Sequence, residues 1–106
     1  MTPKEIRAYQ EKYEEYLEEN VVKMQELIET GLAWHFEGKV GREAMSFLKC
    51  GACFLPETPF KDYYDNEVPS REWLKPGTTG TLENATEFWK SIKEEHEKEA
   101  TTTEEE

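Results

Sequence analysis

The amino-acid sequence predicts a mainly α-helical protein with a long N-terminal helix, a short second helix, an irregular segment with a possible small hairpin, and a C-terminal helix. Apolar residues recur at spacings of three and four near both ends of the chain, as they do along one face of a helix. The part between contains four prolines, Pro56, Pro59, Pro69 and Pro76. Because proline fixes φ and lacks an N–H, it excludes a long helix or a central strand there.

The first helix is predicted to begin at Thr2 and to end at Gly31. Thr2 is a suitable N-cap, Pro3 takes the first helical position and Glu5 completes a capping box. No glycine or proline interrupts the chain before Gly31, so we expect one helix of about 28 residues, roughly 42 Å long. Its apolar and tyrosine face comprises Ile6, Tyr9, Tyr13, Tyr16, Leu17, Val21, Met24, Leu27 and Ile28.

Such a helix is longer than the diameter of a globule of this size, for which a radius of gyration of about 13 Å is expected. Part of it should therefore project, which predicts a homodimer through this helix or a partner-bound helix. Its other face is acidic, and like charges four residues apart repel each other there. The candidate binding residues on this acidic face are Glu11, Glu14, Glu15, Glu18 and Glu19.

A short second helix is predicted over "REAMSFLKC", ended by Gly51. Its expected core-facing residues are Ala44, Met45, Phe47 and Leu48. Together with the first helix it has the outline of a helix-turn-helix, but it offers only Arg42 and Lys49 to a nucleic-acid groove. A nucleic-acid-associated regulator therefore stays an alternative function, favoured if folding gathers a basic patch from Lys39, Arg42, Lys49 and Arg71.

The irregular segment over residues 52–80 is rich in aromatic side chains. A connection of this length is uncommon in a compact domain and is often functional. Tyrosine, tryptophan and arginine dominate the binding energy of protein interfaces. The candidate binding residues of this segment are Tyr63, Tyr64, Arg71 and Trp73. The competing interpretation is structural, with the aromatic rings covering the helical hairpin.

The two cysteines, Cys50 and Cys53, stand in the sequence "CGAC", which has the spacing of half a zinc site. His35 and His96 do not supply the paired spacing of the other half. A metal or thiol protein is therefore a second alternative, and two structural thiols are the preferred interpretation. Since no complete catalytic or phosphate-binding motif is present, we expect a non-enzymatic protein without a cofactor.

The last helix is predicted to begin at Thr81 and to place Leu82, Ala85, Trp89, Ile92 and His96 on one face. The polar residues "TTTEEE" that follow have no apolar surface to bury. We therefore expect one domain over residues 1–100 and a disordered acidic tail over residues 101–106.

Charge and hydropathy limit the partners and the compartment. The net charge of −11 argues against a binder of the phosphate backbone, so nucleic acid is an unlikely partner. No apolar run is long enough to cross a bilayer and no secretion signal is recognisable, which predicts a cytoplasmic protein that does not bind membranes.

Three stretches, "ETGLAWHFEGKVGREAM", "GACFLP" and "DYYDNEVPSREWLKPGTTGTLE", resemble small accessory proteins of tailed bacteriophages, particularly phages of actinobacteria. The resemblance implies a phage origin and the cytoplasm of the host cell, but no reaction. The sequence thus predicts a non-enzymatic phage-type protein that binds another protein, such as a host or defence factor, through its acidic helix and its aromatic loop.

Overall fold

The mainly α-helical fold is confirmed by the computed structural model, which describes residues 1–35 and 38–105, with the side chains of residues 99–105 left aside. Four α-helices and a two-stranded antiparallel hairpin make up its regular structure. They are α1 (Pro3–Leu17), α2 (Val21–Thr30), α3 (Lys39–Cys50), β1 (Phe60–Lys61), β2 (Glu67–Val68) and α4 (Leu82–Glu105), with single 3-10 turns at Leu32–Trp34 and Arg71–Trp73.

The start of α1 follows the predicted capping box. The Thr2 hydroxyl accepts the Glu5 N–H at 3.2 Å, and the Glu5 carboxylate accepts the Thr2 N–H at 3.1 Å. These bonds lower the pKa of the Glu5 carboxyl. The chain therefore enters the helix in a fixed conformation at Pro3.

The prediction of one long N-terminal helix is wrong, because α1 ends at Leu17 and α2 begins at Val21. Glu18 takes a left-handed conformation with a φ of 56°, and its N–H bonds back to the Glu14 and Glu15 carbonyls. The Glu14 carboxylate then accepts the Val22 N–H at 3.2 Å and caps the first turn of α2. The break thus uses neither glycine nor proline, the two signals that mark most helix ends.

α1 and α2 run antiparallel, and polar side-chain contacts connect them along their length. Arg7 pairs with Glu29, and the Gln10 amide donates to the Gln25 side chain. The face predicted to be left uncovered is consequently packed on its own chain: Ile6 and Tyr13 are buried. The expected homodimer loses the argument that supported it, since α1 and α2 pack on each other and do not form one projecting N-terminal helix.

A buried segment from Gly51 to Leu55 follows α3 and passes through the middle of the molecule. Gly51 turns the chain with a φ of 99°, and a side chain there would lie only 2.7 Å from the Phe88 Cβ of α4. Trp89 of α4 donates to the Ala52 carbonyl at 3.2 Å. This central segment therefore contacts α4 on one side.

Two glutamines hold the other side of the central segment. Gln25 donates to the Phe54 carbonyl at 3.0 Å and accepts the Phe54 N–H at 3.1 Å. Gln10 donates both to Gln25 and to the Ala52 carbonyl, each at 2.9 Å. Both amide side chains are buried, so the polar backbone of the central segment is satisfied inside an apolar core.

The predicted small hairpin is confirmed, with Phe60 opposite Val68 and Lys61 opposite Glu67. Its turn is organised by the Asp62 carboxylate, which accepts the Tyr64 N–H at 2.9 Å and the Asn66 N–H at 2.8 Å. The carboxylate thereby supplies the acceptor for two backbone N–H groups of the turn, as aspartate does in other turns.

The last helix begins where the sequence predicts, with the Thr81 hydroxyl accepting the Asn84 N–H. Ala85, Trp89 and Ile92 are buried, whereas His96 is exposed and meets the Tyr13 ring edge-on. The division of the chain at residue 100 stays a prediction. The side chains of residues 101–105, together with residue 106, lie outside the described part.

Replacing Glu18 by glycine tests the break between α1 and α2, because a broken and a continuous helix predict opposite signs. A left-handed conformation costs a non-glycine residue roughly 1–2 kcal/mol, which exceeds the entropic disadvantage of glycine, roughly 0.5–1 kcal/mol. Glu18→Gly should therefore raise the free energy of unfolding by about 0.5 kcal/mol in urea titrations.

The matched control is Glu15→Gly, inside α1, which should lower the free energy of unfolding by about 1 kcal/mol. If Glu18→Gly destabilises the protein as much as Glu15→Gly does, the helix continues through residue 18 and the described break is wrong.

Candidate binding groove

A groove of about 1240 Å³ lies between α3 and the β1–β2 hairpin, and we call it the α3–hairpin groove. Its floor is apolar and includes Trp34, Leu55 and Leu74. Tyr63 and Tyr64 line it from the hairpin. The groove therefore joins a helix face and the predicted aromatic segment in one concave surface.

The helical wall of the groove is the face of α3 that carries Arg42, Met45 and Lys49. Ala44 and Leu48 of the same helix are buried in the core. The prediction that Met45 also faces the core is wrong, because its side chain is 40% exposed. One residue beyond Ala44 is a rotation of about 100° on an α-helix, which moves Met45 out of the core stripe.

Tyr63 and Tyr64, two of the predicted binding residues, form the rim of the groove on the hairpin. They are 55% and 60% exposed, and their rings meet edge to face at 5.1 Å. The hydrogen-bonded turn at Asp62 fixes the backbone beneath them. They therefore present aromatic surface to solvent from an ordered support.

Trp34 is the floor residue that sequence reasoning did not identify as functional. Its side chain is 5% exposed, yet its indole N–H finds no acceptor among the described residues. The Trp89 indole, by contrast, donates to a carbonyl. Since buried donors are nearly always paired, the Trp34 N–H is an exception inside the core, while the Trp34 ring supplies apolar surface to the groove.

The two walls of the groove carry side chains of opposite charge. Arg42 and Lys49 lie on the α3 wall, and Asp62 and Glu67 lie on the hairpin wall. The Asp62 carboxylate is engaged by its own turn. The α3 wall is thus the positive side of a groove in a strongly acidic chain.

Arg71 and Trp73, the other two predicted residues of the aromatic segment, do not line this groove. Arg71 donates to the Leu55 carbonyl and to the Glu57 carboxylate, both at 3.1 Å. Its guanidinium also lies 5.8 Å from the centre of the Phe54 ring. These contacts show that Arg71 stabilises the fold. The Trp73 side chain is 60% exposed on the surface outside the groove.

The predicted acidic face is divided by the break after α1. Glu14 caps α2, and Glu18 and Glu19 lie in the connection between the helices. Glu11 and Glu15 remain exposed on α1. None of these residues lines the α3–hairpin groove, although Glu19 lines a smaller pocket of about 460 Å³ beside Lys23 and Phe47.

The two cysteines lie in different surroundings. Cys53 is fully buried, its sulfur lies 3.7 Å from the Val21 carbonyl, and burial raises the pKa of its thiol. Cys50 is exposed at the edge of the groove. Within residues 1–35 and 38–98, no three His, Cys, Asp or Glu side chains cluster as metal ligands do.

Comparisons with protein-family models, with curated proteins and with solved structures found no match to this chain. The resemblance to accessory proteins of tailed bacteriophages therefore stays a prediction. In the part of the chain that the structure describes, no helix is long and apolar enough to cross a membrane.

Two tryptophan substitutions measure what the unpaired indole N–H contributes. Trp34→Phe removes a donor that has no acceptor, whereas Trp89→Phe removes a buried hydrogen bond, and both shorten the side chain in the same way. Trp89→Phe should therefore lower the free energy of unfolding by about 1 kcal/mol more than Trp34→Phe does. Equal losses in urea titrations would show that the Trp34 N–H is paired in solution.

The buried Cys53 thiol should make stability fall at alkaline pH. Its pKa is raised in the folded protein, so its contribution is complete below the pKa of an unfolded thiol, about 8.5, and is lost as pH rises toward the folded pKa. Above about pH 9 the free energy of unfolding should decline more steeply, by up to about 1.4 kcal/mol per pH unit, than in the Cys53→Ala variant. Parallel profiles for the two proteins would contradict the buried, protonated thiol.

Proposed function

We propose that this chain is a non-enzymatic protein that binds a segment of another protein in the α3–hairpin groove. The observation that carries the proposal is the composition of the lining: Trp34, Arg42, Met45, Tyr63 and Tyr64. Aromatic residues, methionine and arginine are the types enriched at protein interfaces. The best-supported binding surface is thus the aromatic loop combined with α3.

The size and exposure of the groove favour a protein segment over a small molecule. Pockets for small ligands measure roughly 300–1,000 Å³ and bury most of the ligand, whereas this groove measures about 1240 Å³. Its rim residues Met45, Tyr63 and Tyr64 are each at least 40% exposed. Clustered apolar side chains of this kind mark surfaces that another macromolecule covers.

The ionisable groups at the groove support binding more than catalysis. The Asp62 carboxylate accepts two N–H groups of its own turn. The Cys50 thiol bonds to the Phe47 carbonyl at the end of α3. Neither is placed as one member of a nucleophile–base pair, the arrangement that covalent catalysis uses.

The two alternative functions find less support. A nucleic-acid regulator needed a basic patch that includes Arg71, but the Arg71 guanidinium pairs with Glu57. A metal site needed further ligands beside the two thiols, and no cluster of three His, Cys, Asp or Glu side chains occurs among the described residues. We therefore retain protein binding as the function to test.

The acidic residues and the resemblance to phage proteins complete the proposal. Exposed Glu11, Glu15 and Glu18 lie outside the groove and would steer toward the protein a partner whose surface is basic outside the segment that the groove binds. A phage-type accessory protein acts in the host cytoplasm, where a host or defence factor is the expected partner.

A selection from displayed random peptides tests the groove as the binding surface. Peptides that bind the full chain should lose binding at least tenfold to the Met45→Glu variant, because a charge replaces an exposed apolar residue of the groove wall. The matched control is Trp73→Glu, which makes the same kind of change at an exposed residue outside the groove.

Titration calorimetry with the selected peptides provides the affinities. Binding that survives Met45→Glu, or that is lost with Trp73→Glu instead, would show that the α3–hairpin groove is not the binding surface.

A further inference from the structure

The face of α3 toward the groove carries a specific pattern of charge. Arg42, Met45 and Lys49 all line the groove. The two cations are seven positions apart, which is about two helical turns, or about 10.5 Å along the axis. Within the described residues neither cation forms an ion pair, whereas Arg7, Lys61, Arg71 and Lys93 each do. Two unpaired cations at a fixed spacing therefore flank an apolar side chain.

The end of the groove near Arg42 collects hydrogen-bond donors. Gly38, the N-cap of α3, has no side chain to accept the N–H groups of the first turn. Gly41 brings this turn close to the Ala33 carbonyl, and so next to Trp34 with its unpaired indole N–H. The Arg42 guanidinium lies beside Gly38, so the positive end of a helix and a cationic side chain occupy the same end of the groove.

We infer that the groove binds an amphipathic α-helix of the partner that carries two carboxylate side chains two turns apart, with an apolar residue between them. The inference rests on the proposed function and names the chemistry of the bound segment. One carboxylate pairs with Arg42 near the N-terminal end of α3. The other pairs with Lys49, and the apolar side chain packs on Met45.

Helical spacing matches the pattern in either direction. A parallel helix places the three groups at positions i, i+3 and i+7, and an antiparallel helix places them at i, i+4 and i+7, always on one face. Two turns of a helix about 10 Å wide occupy roughly 800 Å³, which the groove of about 1240 Å³ accommodates.

An extended segment would fit less well than a helix. In the antiparallel hairpin, the Asp62 N–H bonds to the Asn66 carbonyl, so the neighbouring pair of Lys61 with Glu67 is not hydrogen-bonded across the ladder. Only Glu67 of the two-residue strand β2 then offers free backbone groups to an added strand. One residue provides too few hydrogen bonds for strand addition to determine binding.

The hairpin wall fixes which face of the helix turns toward α3. Glu67 lies on that wall and repels a carboxylate, while Tyr63 and Tyr64 offer aromatic surface to the uncharged side. The acidic face of the partner helix is thereby directed to Arg42 and Lys49.

A displayed library of helical peptides tests the inference with the full-length chain. Each peptide has leucine fixed at its central position, and its surface positions vary among Glu, Lys, Gln and Ala. Selection should enrich two glutamates seven positions apart around the leucine. These peptides should bind at least tenfold more weakly to Arg42→Glu and to Lys49→Glu, and the doubly reversed protein should enrich lysine pairs at the same positions.

The control variant is Lys90→Glu, which changes an exposed lysine of α4 that does not line the groove and should leave the enriched sequences unchanged. Circular dichroism spectra verify that each variant is folded.

Three outcomes would overturn the inference. Peptides that depend on Met45 but show no preference for glutamate would leave the proposed function intact and would rule out an acidic helix as the bound segment. The same conclusion would follow if the protein with both Arg42→Glu and Lys49→Glu enriched the same glutamate pairs as the unchanged protein. Binding of duplex DNA that requires Arg42 and Lys49, without binding of any library peptide, would replace both proposals by phosphate recognition.

Discussion

The pairing of the Gln25 amide with the Phe54 backbone is the interaction on which the rest of the structure depends. One side chain satisfies both the N–H and the carbonyl of Phe54, in a segment that belongs to neither a helix nor a strand. A buried backbone without such partners would cost about 1–3 kcal/mol for each unpaired group. Gln10 adds the Ala52 carbonyl to the same network, so α1 and α2 both hold the central segment.

The groove follows from this arrangement, because both of its walls connect to the central segment. α3 ends at Cys50, directly before the central segment, and Leu55 at the far end of that segment forms part of the groove floor. Arg71 donates to the Leu55 carbonyl, and the Arg71 N–H donates to the Pro56 carbonyl. The irregular stretch that looks unstructured in sequence is therefore held at a few defined points, and the hairpin projects between them.

Local signals in the sequence are sufficient for the starts of α1 and α4 and for the class of the fold. The capping box at Thr2, the glycine after α3 and the apolar stripe of α4 each depend on a few neighbouring residues. The break at Glu18 is not visible in the sequence, because it depends on the Glu14 carboxylate accepting an N–H in the first turn of α2. This contact forms only when α1 and α2 pack against each other. The same holds for the groove. The spacing of Arg42, Met45 and Lys49 is visible in the sequence, but the unpaired Trp34 N–H and the opposite wall become apparent only after folding.

Hydrogen exchange at the Phe54 amide, followed by NMR at increasing urea concentrations, tests the central claim most directly. The Phe54 N–H bonds to a side chain rather than to a helix or a strand, and such loop amides ordinarily exchange by local opening. If the Gln25 pairing holds the core together, the free energy of exchange at Phe54 will equal the global free energy of unfolding and will fall with urea at the same slope. Exchange at a markedly lower free energy, independent of urea, would show that the central segment opens alone and that the fold does not depend on it.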